Sequence, residues 1–216
     1  MRTKALDKAS AWMCLVGLVA VLAVPAVVQA QEDNPWLVRL RALAVVPDES
    51  STISSIGGRV TVGNSYVPEL DISYFFNKNV AAEIILGVSR HTIGAVGTSA
   101  GNLDLGTVWL LPPTLNLQYH LAPGQVARPY IGVGGNATLF FNVDPGAATN
   151  ISYDTGFGLS LQGGIDIGKS EEWGLNIDVK KIFLSTTAAV AALGTNVTAD
   201  VDLHPYIIGV GVARKF

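Results

Sequence analysis

Charge is scarce in this chain. Of its 216 residues only 14% are Asp, Glu, Lys or Arg, against roughly 25% in an ordinary soluble domain, while 49% are hydrophobic. Cysteine is almost absent: Cys14 stands alone, so no disulfide framework is available. The three histidines, His91, His120 and His204, are far apart, no two at ligand spacing, and no nucleophile motif accompanies them. Neither a metal centre nor a catalytic constellation is expected, and no cofactor. The net charge of −3 comes without any basic block, which argues against nucleic acid as a partner. Finally, after residue 30 no apolar run approaches the ~18 residues of a spanning helix. A greasy chain without membrane helices can still occupy a bilayer as a closed barrel, because lipid tolerates no unpaired backbone.

Met1 to Ala30 reads as a secretory signal peptide. Arg2, Lys4 and Lys8 open it, Ala11 to Val24 is apolar, Pro25 breaks the run, and Val28-Gln29-Ala30 offers small residues for cleavage. Cys14 lies inside the apolar run, a poor lipoprotein anchor, and would leave with the peptide. Residues 31–216 are then one domain.

What the chain does have is a period of two. From Tyr153 to Ile167 every second residue is apolar or Thr or Gly, and those between (Asp154, Gly156, Gly158, Ser160, Gln162, Gly164, Asp166) are small or polar. Such a strand has two different solvents on its faces, and it is long enough to cross a bilayer at a tilt, which takes about 9–11 residues. Glycine crowds the polar face, as expected in a narrow lumen. The same pattern predicts strands at Trp36–Val46, Val67–Phe76, Val80–His91, a fourth ending over Thr114–Leu121, Tyr130–Phe141, Trp173–Ser185 and Asp202–Phe216. Pro47–Tyr66, Thr92–Gly106, Asn142–Ile151 and Thr186–Val201 read as long loops; Asn77–Asn79, Ala122–Gly124 and Lys169–Glu172 read as short turns. Alternating long and short connections predict an all-β, eight-stranded antiparallel transmembrane β-barrel with short periplasmic turns and long external loops. Trp36, Tyr74, Tyr119, Tyr130 and Trp173 fall near the short turns, where an aromatic girdle belongs.

Charged residues cannot face lipid cheaply, so their parity marks the inside. Arg39, Arg41, Glu69, Asp71, Glu83, Gln118, His120, Asp166 and Asp178 are expected to form a polar floor at the periplasmic end, where eight strands leave little free space. Its plainest role is a satisfied buried network rather than chemistry. Leu43, Val45, Val67, Phe140, Ile182, Leu184, Leu203 and Ile207 are expected to line an apolar vestibule above it. A solute stopped by the floor needs another exit. Pro112 and Pro113 offer one, since proline donates no ladder bond and two together should interrupt a barrel wall; the alternative is that both lie in a loop above the bilayer.

Leu111-Pro112-Pro113-Thr114-Leu115-Asn116-Leu117-Gln118-Tyr119-His120 resembles a signature of the OmpW family of small outer-membrane proteins. So do Pro129 to Gly134, Trp173 to Lys181 and the ending His204-Pro205-Tyr206 to Phe216. The resemblance implies a bacterial outer-membrane barrel associated with uptake of small hydrophobic molecules, with a lateral opening at the proline position. Phe216, with Val212, Val210 and Ile208 at alternate positions, resembles the signal read by the barrel-assembly machinery; Arg214 departs from it. The expected partners are therefore outer-membrane lipids, small hydrophobic solutes and that machinery. The alternative function is a structural or surface-interaction barrel acting through its external loops, where Ala188 to Leu193 is an apolar run that reads as a lip, a short helix or a partner patch.

Overall fold

A computed structural model describes residues 34–54, 56–169, 172–192 and 195–216. The expected signal peptide, part of the Lys169–Glu172 turn, and Leu193 of the apolar run lie outside the described residues. The described part is β-structure: β1 (Trp36–Val46), β2 (Ser50–Ile53), β3 (Arg59–Val62), β4 (Ser65–Phe75), β5 (Val80–Gly87), β6 (Ser89–Thr98), β7 (Gly101–Leu111), β8 (Thr114–His120), β9 (Ala127–Asp144), β10 (Asn150–Tyr153), β11 (Gly156–Ile167), β12 (Gly174–Ala192), β13 (Thr195–Asp202) and β14 (Tyr206–Lys215).

Eight of these strands close a ring. Antiparallel ladders run β1–β4–β5–β8–β9–β11–β12–β14 and back to β1. The seam reaches the chain end, where Phe216 and Trp36 exchange backbone hydrogen bonds. Closure leaves no sheet edge, which is the condition for spanning lipid. Side chains alternate as the period of two demands: on β1 Leu37, Arg39, Arg41 and Leu43 are buried, while Trp36, Leu40 and Ala42 are exposed. The exposed faces of the eight staves are apolar, including Leu70, Ile84, Leu117, Val133, Leu159, Ile177 and Val210. Beyond this belt the outward positions turn polar, as at Arg90, Thr92, Asp200 and Asp202. At the short-turn end Trp36, Tyr74 and Phe76 pack edge to face, and Asn77 caps its turn by accepting from the backbone N–H groups of Asn79 and Val80, both at 2.9 Å.

The segments read as long loops are mostly strand. Thr92–Gly106 is the tip of the β6–β7 hairpin. Thr186–Val201 is a β12–β13 hairpin extended by β2. Pro47–Tyr66 holds β2 and β3, and Asn142–Ile151 holds the end of β9 and the start of β10. Their polar composition hides a second alternation: Thr186, Ala188, Val197, Ala199 and Val201 are buried beside exposed Ser185, Thr198, Asp200 and Asp202. The wall thus continues above the lipid belt with a water-facing exterior and an apolar interior. Where described, the Ala188 run is strand rather than helix, with Ala188 and Val190 on the cavity wall and Ala189 exposed.

Two strand readings and one girdle assignment need correction. Val80–His91 is interrupted at Val88, between β5 and β6. The Tyr153–Ile167 strand is broken at Asp154–Thr155. Tyr153 pairs with Ala188 and Phe157 with Ser185, so three residues on one side face two on the other: a bulge that inverts the parity above it. Tyr130 is no girdle residue. It is 1% exposed, because it shares the inward parity of Thr138 and Phe140 on β9, and Gly164 leaves room for its hydroxyl end where a Cβ would collide.

Candidate functional site

The floor is built on the inward positions of the lower barrel. Arg39 donates two bonds to Asp166, at 2.9 and 2.8 Å, and reaches Ser73 at 3.1 Å, Asp71 at 3.3 Å and Glu83 at 3.4 Å. Arg41 donates to Glu69 at 2.8 Å and Asn176 at 3.1 Å, and also to Asp71. Gln162 bridges the network, donating to Asp178 at 2.9 Å, while Gln118 donates to it at 3.2 Å and His120 sits within 3.3 Å of Gln118. All nine expected floor residues are buried here. Beside Ser73 and Asn116, four residues outside the expected nine join the floor: Lys180, Tyr130, Asn176 and Gln162. Lys180 bonds Glu69 at 3.1 Å and pairs with Asp178 at 2.7 Å. Tyr130 donates to Asp178 at 2.7 Å, and Asn176 and Gln162 complete the links. All four share the inward parity of their strands; what no local pattern encodes is the contact between distant strands that brings the Tyr130 hydroxyl to Asp178.

Three cations (Arg39, Arg41, Lys180) face five carboxylates (Glu69, Asp71, Glu83, Asp166, Asp178). Buried charges are tolerable only when paired, so this floor carries more acid than its cations neutralise. Glu83 is the member held most loosely, with both arginines at 3.4 Å. Its other oxygen accepts from Asn116 at 3.0 Å, and the amide oxygen of Asn116 has no partner. Turning that amide over would let it accept from a new amide N–H, at the loss of the bond Asn116 now donates to Gln162 at 3.0 Å. Glu83→Gln is therefore expected to stay within about 1 kcal/mol of the parent barrel, the scale of one neutral hydrogen bond. Urea titration of the refolded barrel checks this; a loss of several kcal/mol contradicts the charge excess.

Above the floor the interior turns apolar. A cavity of about 140 Å³ is bounded by Leu43, Val45, Val67, Phe140, Ile182, Leu184, Leu203 and Ile207, together with aliphatic residues of the upper wall such as Ile53, Val60, Ile93, Leu105, Val108 and Val197. That upper set was missed because it sits in segments read as loops. Glu69 and Lys180 form the boundary with the floor. His91, on β6 above the lipid belt, bonds the Gly63 carbonyl at 2.7 Å and Ser89 at 3.0 Å. Burial pushes its pKa down, so it is a neutral tether rather than a charge at the cavity wall.

The wall beside this cavity is incomplete. β5 pairs with β8 up to Ile85–Thr114, and the same register resumes between β6 and β7 at Ser89–Leu110. Three rungs are missing: Leu86, Gly87 and Val88 face Leu111, Pro112 and Pro113 without pairing. Neither proline has an N–H to offer. Their carbonyls are engaged by β9, with the Ala137 N–H on Pro113 at 3.0 Å and the Asn136 amide 3.2 Å from Pro112 and 3.4 Å from Pro113. Gly87, Val88 and Pro112 are also cavity wall. Leu86 and Val88 are among the exposed apolar side chains of the belt, so the prolines stand in the wall at its outer edge, not in a loop clear of it.

Comparison with known proteins identifies the setting. The chain is 42% identical over 187 residues to the outer-membrane protein y4mB of Sinorhizobium fredii, covering 85% of this chain and 80% of that one. It is 28% identical to the dibenzothiophene metabolism operon protein DoxH of a Pseudomonas strain, over 94% and 98% of the two chains. The crystal structure of the outer-membrane protein OprG of Pseudomonas aeruginosa matches with a TM-score of 0.77 at 27% identity, covering 88% of this chain and 99% of that one. The protein is accordingly one of the bacterial outer membrane, and since the OmpW family model matches residues 33–216, the chain belongs to the OmpW family.

Proposed function

We propose that this barrel mediates passive uptake of small hydrophobic molecules, which occupy the apolar vestibule from outside and leave sideways into the membrane at Pro112–Pro113. The observation that carries the reading is the three-rung interruption at the cavity wall, directly above a floor closed by charged side chains. A solute in the vestibule meets lipid through that interruption more easily than it meets water through the floor. An eight-stranded barrel with its lower lumen filled by side chains has no room for an aqueous channel. The relationship to a protein of a dibenzothiophene metabolism operon supports a hydrophobic solute. The interaction reading is weaker, because the larger apolar side chain of the Ala188–Ala191 stretch, Val190, lies on the cavity wall and leaves only alanine outside.

The test compares flux into proteoliposomes prepared with lipopolysaccharide, which slows unaided passage of hydrophobic solutes. The protein is expected to accelerate a hydrophobic dye over empty vesicles while adding no ion conductance. Steady ion conductance would contradict the closed floor, and no acceleration of the dye would refute uptake. Leu184→Asp, which places a carboxylate at a 3% exposed vestibule position, is expected to reduce dye flux in correctly assembled barrels, because an unpaired buried charge repels an apolar solute.

A further inference from the structure

Among the described residues, the polar side chains on the vestibule wall are satisfied, with one exception. Glu69 and Lys180 bond each other, as do Ser89 and His91. Thr114, Thr138 and Thr186 each donate to a nearby oxygen, at 3.0, 2.8 and 2.8 Å. The hydroxyl of Tyr153 is buried and has no partner, although it belongs to the cavity wall. The bulge at Asp154–Thr155 is what brings it there; an unbroken strand would have turned Tyr153 outward with Phe157. Burial alone pushes this phenol up to about 12, so it remains a neutral O–H donor at any physiological pH. Its ring is stacked on Phe140, with centroids 5.0 Å apart and planes 21° from parallel. The pair forms a flat aromatic face in an otherwise largely aliphatic cavity.

An unpaired hydroxyl in apolar surroundings is unfavourable, and a phenol is a better donor than acceptor. A bound molecule with one acceptor atom relieves that penalty; a pure hydrocarbon does not. We propose that Tyr153 is a hydrogen-bonding anchor for the solute, and that the Phe140–Tyr153 face favours flat aromatic molecules carrying a single carbonyl-type acceptor. The free space of about 140 Å³ is of the size that holds one aromatic ring. This inference rests on the vestibule being a solute site.

The probes are acetophenone and ethylbenzene, which are close in shape and differ in one carbonyl. Binding is measured by equilibrium dialysis against the refolded barrel in nanodiscs, with empty nanodiscs subtracting lipid partition. Tyr153→Phe is expected to weaken acetophenone about five- to tenfold, the value of one hydrogen bond, and to leave ethylbenzene unchanged. Phe140→Leu is expected to weaken both probes alike. If both probes bind and Tyr153→Phe weakens neither, or both equally, the anchor is overturned while the vestibule stands. If Phe140→Leu changes neither probe, the aromatic face is overturned. If neither probe binds the parent protein, the anchor and the uptake reading fall together.

Discussion

Replacing Arg39 with methionine is expected to destabilise the barrel by about 3–5 kcal/mol, the loss typical when one partner of a buried ionic network is removed. Methionine fills much of the aliphatic space but donates nothing. Asp166 loses two bonds and Asp71, Ser73 and Glu83 lose one each. The Tyr130 ring also loses the guanidinium 4.7 Å from its centroid. Two cations would then face five carboxylates, and the surplus must take up protons or draw water into the lower lumen. Ion conductance should therefore appear alongside the lost stability, which separates this variant from a simple packing defect. Arg39→Lys restores charge without the forked geometry and is expected to fall between. Urea titration and single-channel recording check the pair of effects; a change below about 1 kcal/mol, the value of a single ordinary hydrogen bond, would show that the floor is not held by this residue.

The second large effect concerns the wall. In the double variant Pro112→Thr, Pro113→Val both missing N–H groups return, with the polar side chain inward and the apolar one toward lipid, as the parity of Thr114 and Leu115 dictates. The N–H at 112 can then pair with Gly87 across the gap, while the one at 113 faces Ala137 on β9, the side its carbonyl already serves. Stability is expected to rise by about 1 kcal/mol per restored backbone bond. Uptake of a hydrophobic dye is expected to fall to the level of empty vesicles, because the route from the vestibule to lipid is closed. Those two changes have opposite signs, so loss of uptake through misfolding cannot be mistaken for loss through sealing.

The barrel and its inward face were legible in the sequence because alternation is a local signal and charge marks which parity avoids lipid. Arg39, Arg41, Glu69, Asp71 and Asp178 could be placed inside from their own strands alone. What misled was each departure from regular alternation. A loop is recognised by polarity, yet the upper hairpins are polar only on their outer side, and small residues such as Ala188 and Ala199 gave their buried side a weak signature. The bulge before Gly156 adds one residue and exchanges the faces, so Tyr153 was assigned to lipid although it sits on the cavity wall. Tyr130 looked like a girdle aromatic because position near a turn outweighed parity. Prolines 112 and 113 were readable as a defect, but only the register on both sides shows that three rungs are lost and the ladder then resumes unchanged.

The central claim is that solute leaves through this interruption. Gly87 and Pro112 stand opposite each other in the unpaired stretch by the shared register. A side chain at Gly87 meets only ordinary contacts, the nearest being the Pro68 carbonyl oxygen at 3.7 Å. Residues 31–216 contain no cysteine, so Gly87→Cys with Pro112→Cys offers a single possible disulfide, which brings the strands to the roughly 4.4–6.8 Å between Cα atoms that such a bond allows. Dye flux through this variant is measured in one preparation, oxidised and then reduced. The account predicts flux at the empty-vesicle level when oxidised and recovery on reduction. Equal flux in both states, with the disulfide verified, would contradict the lateral route.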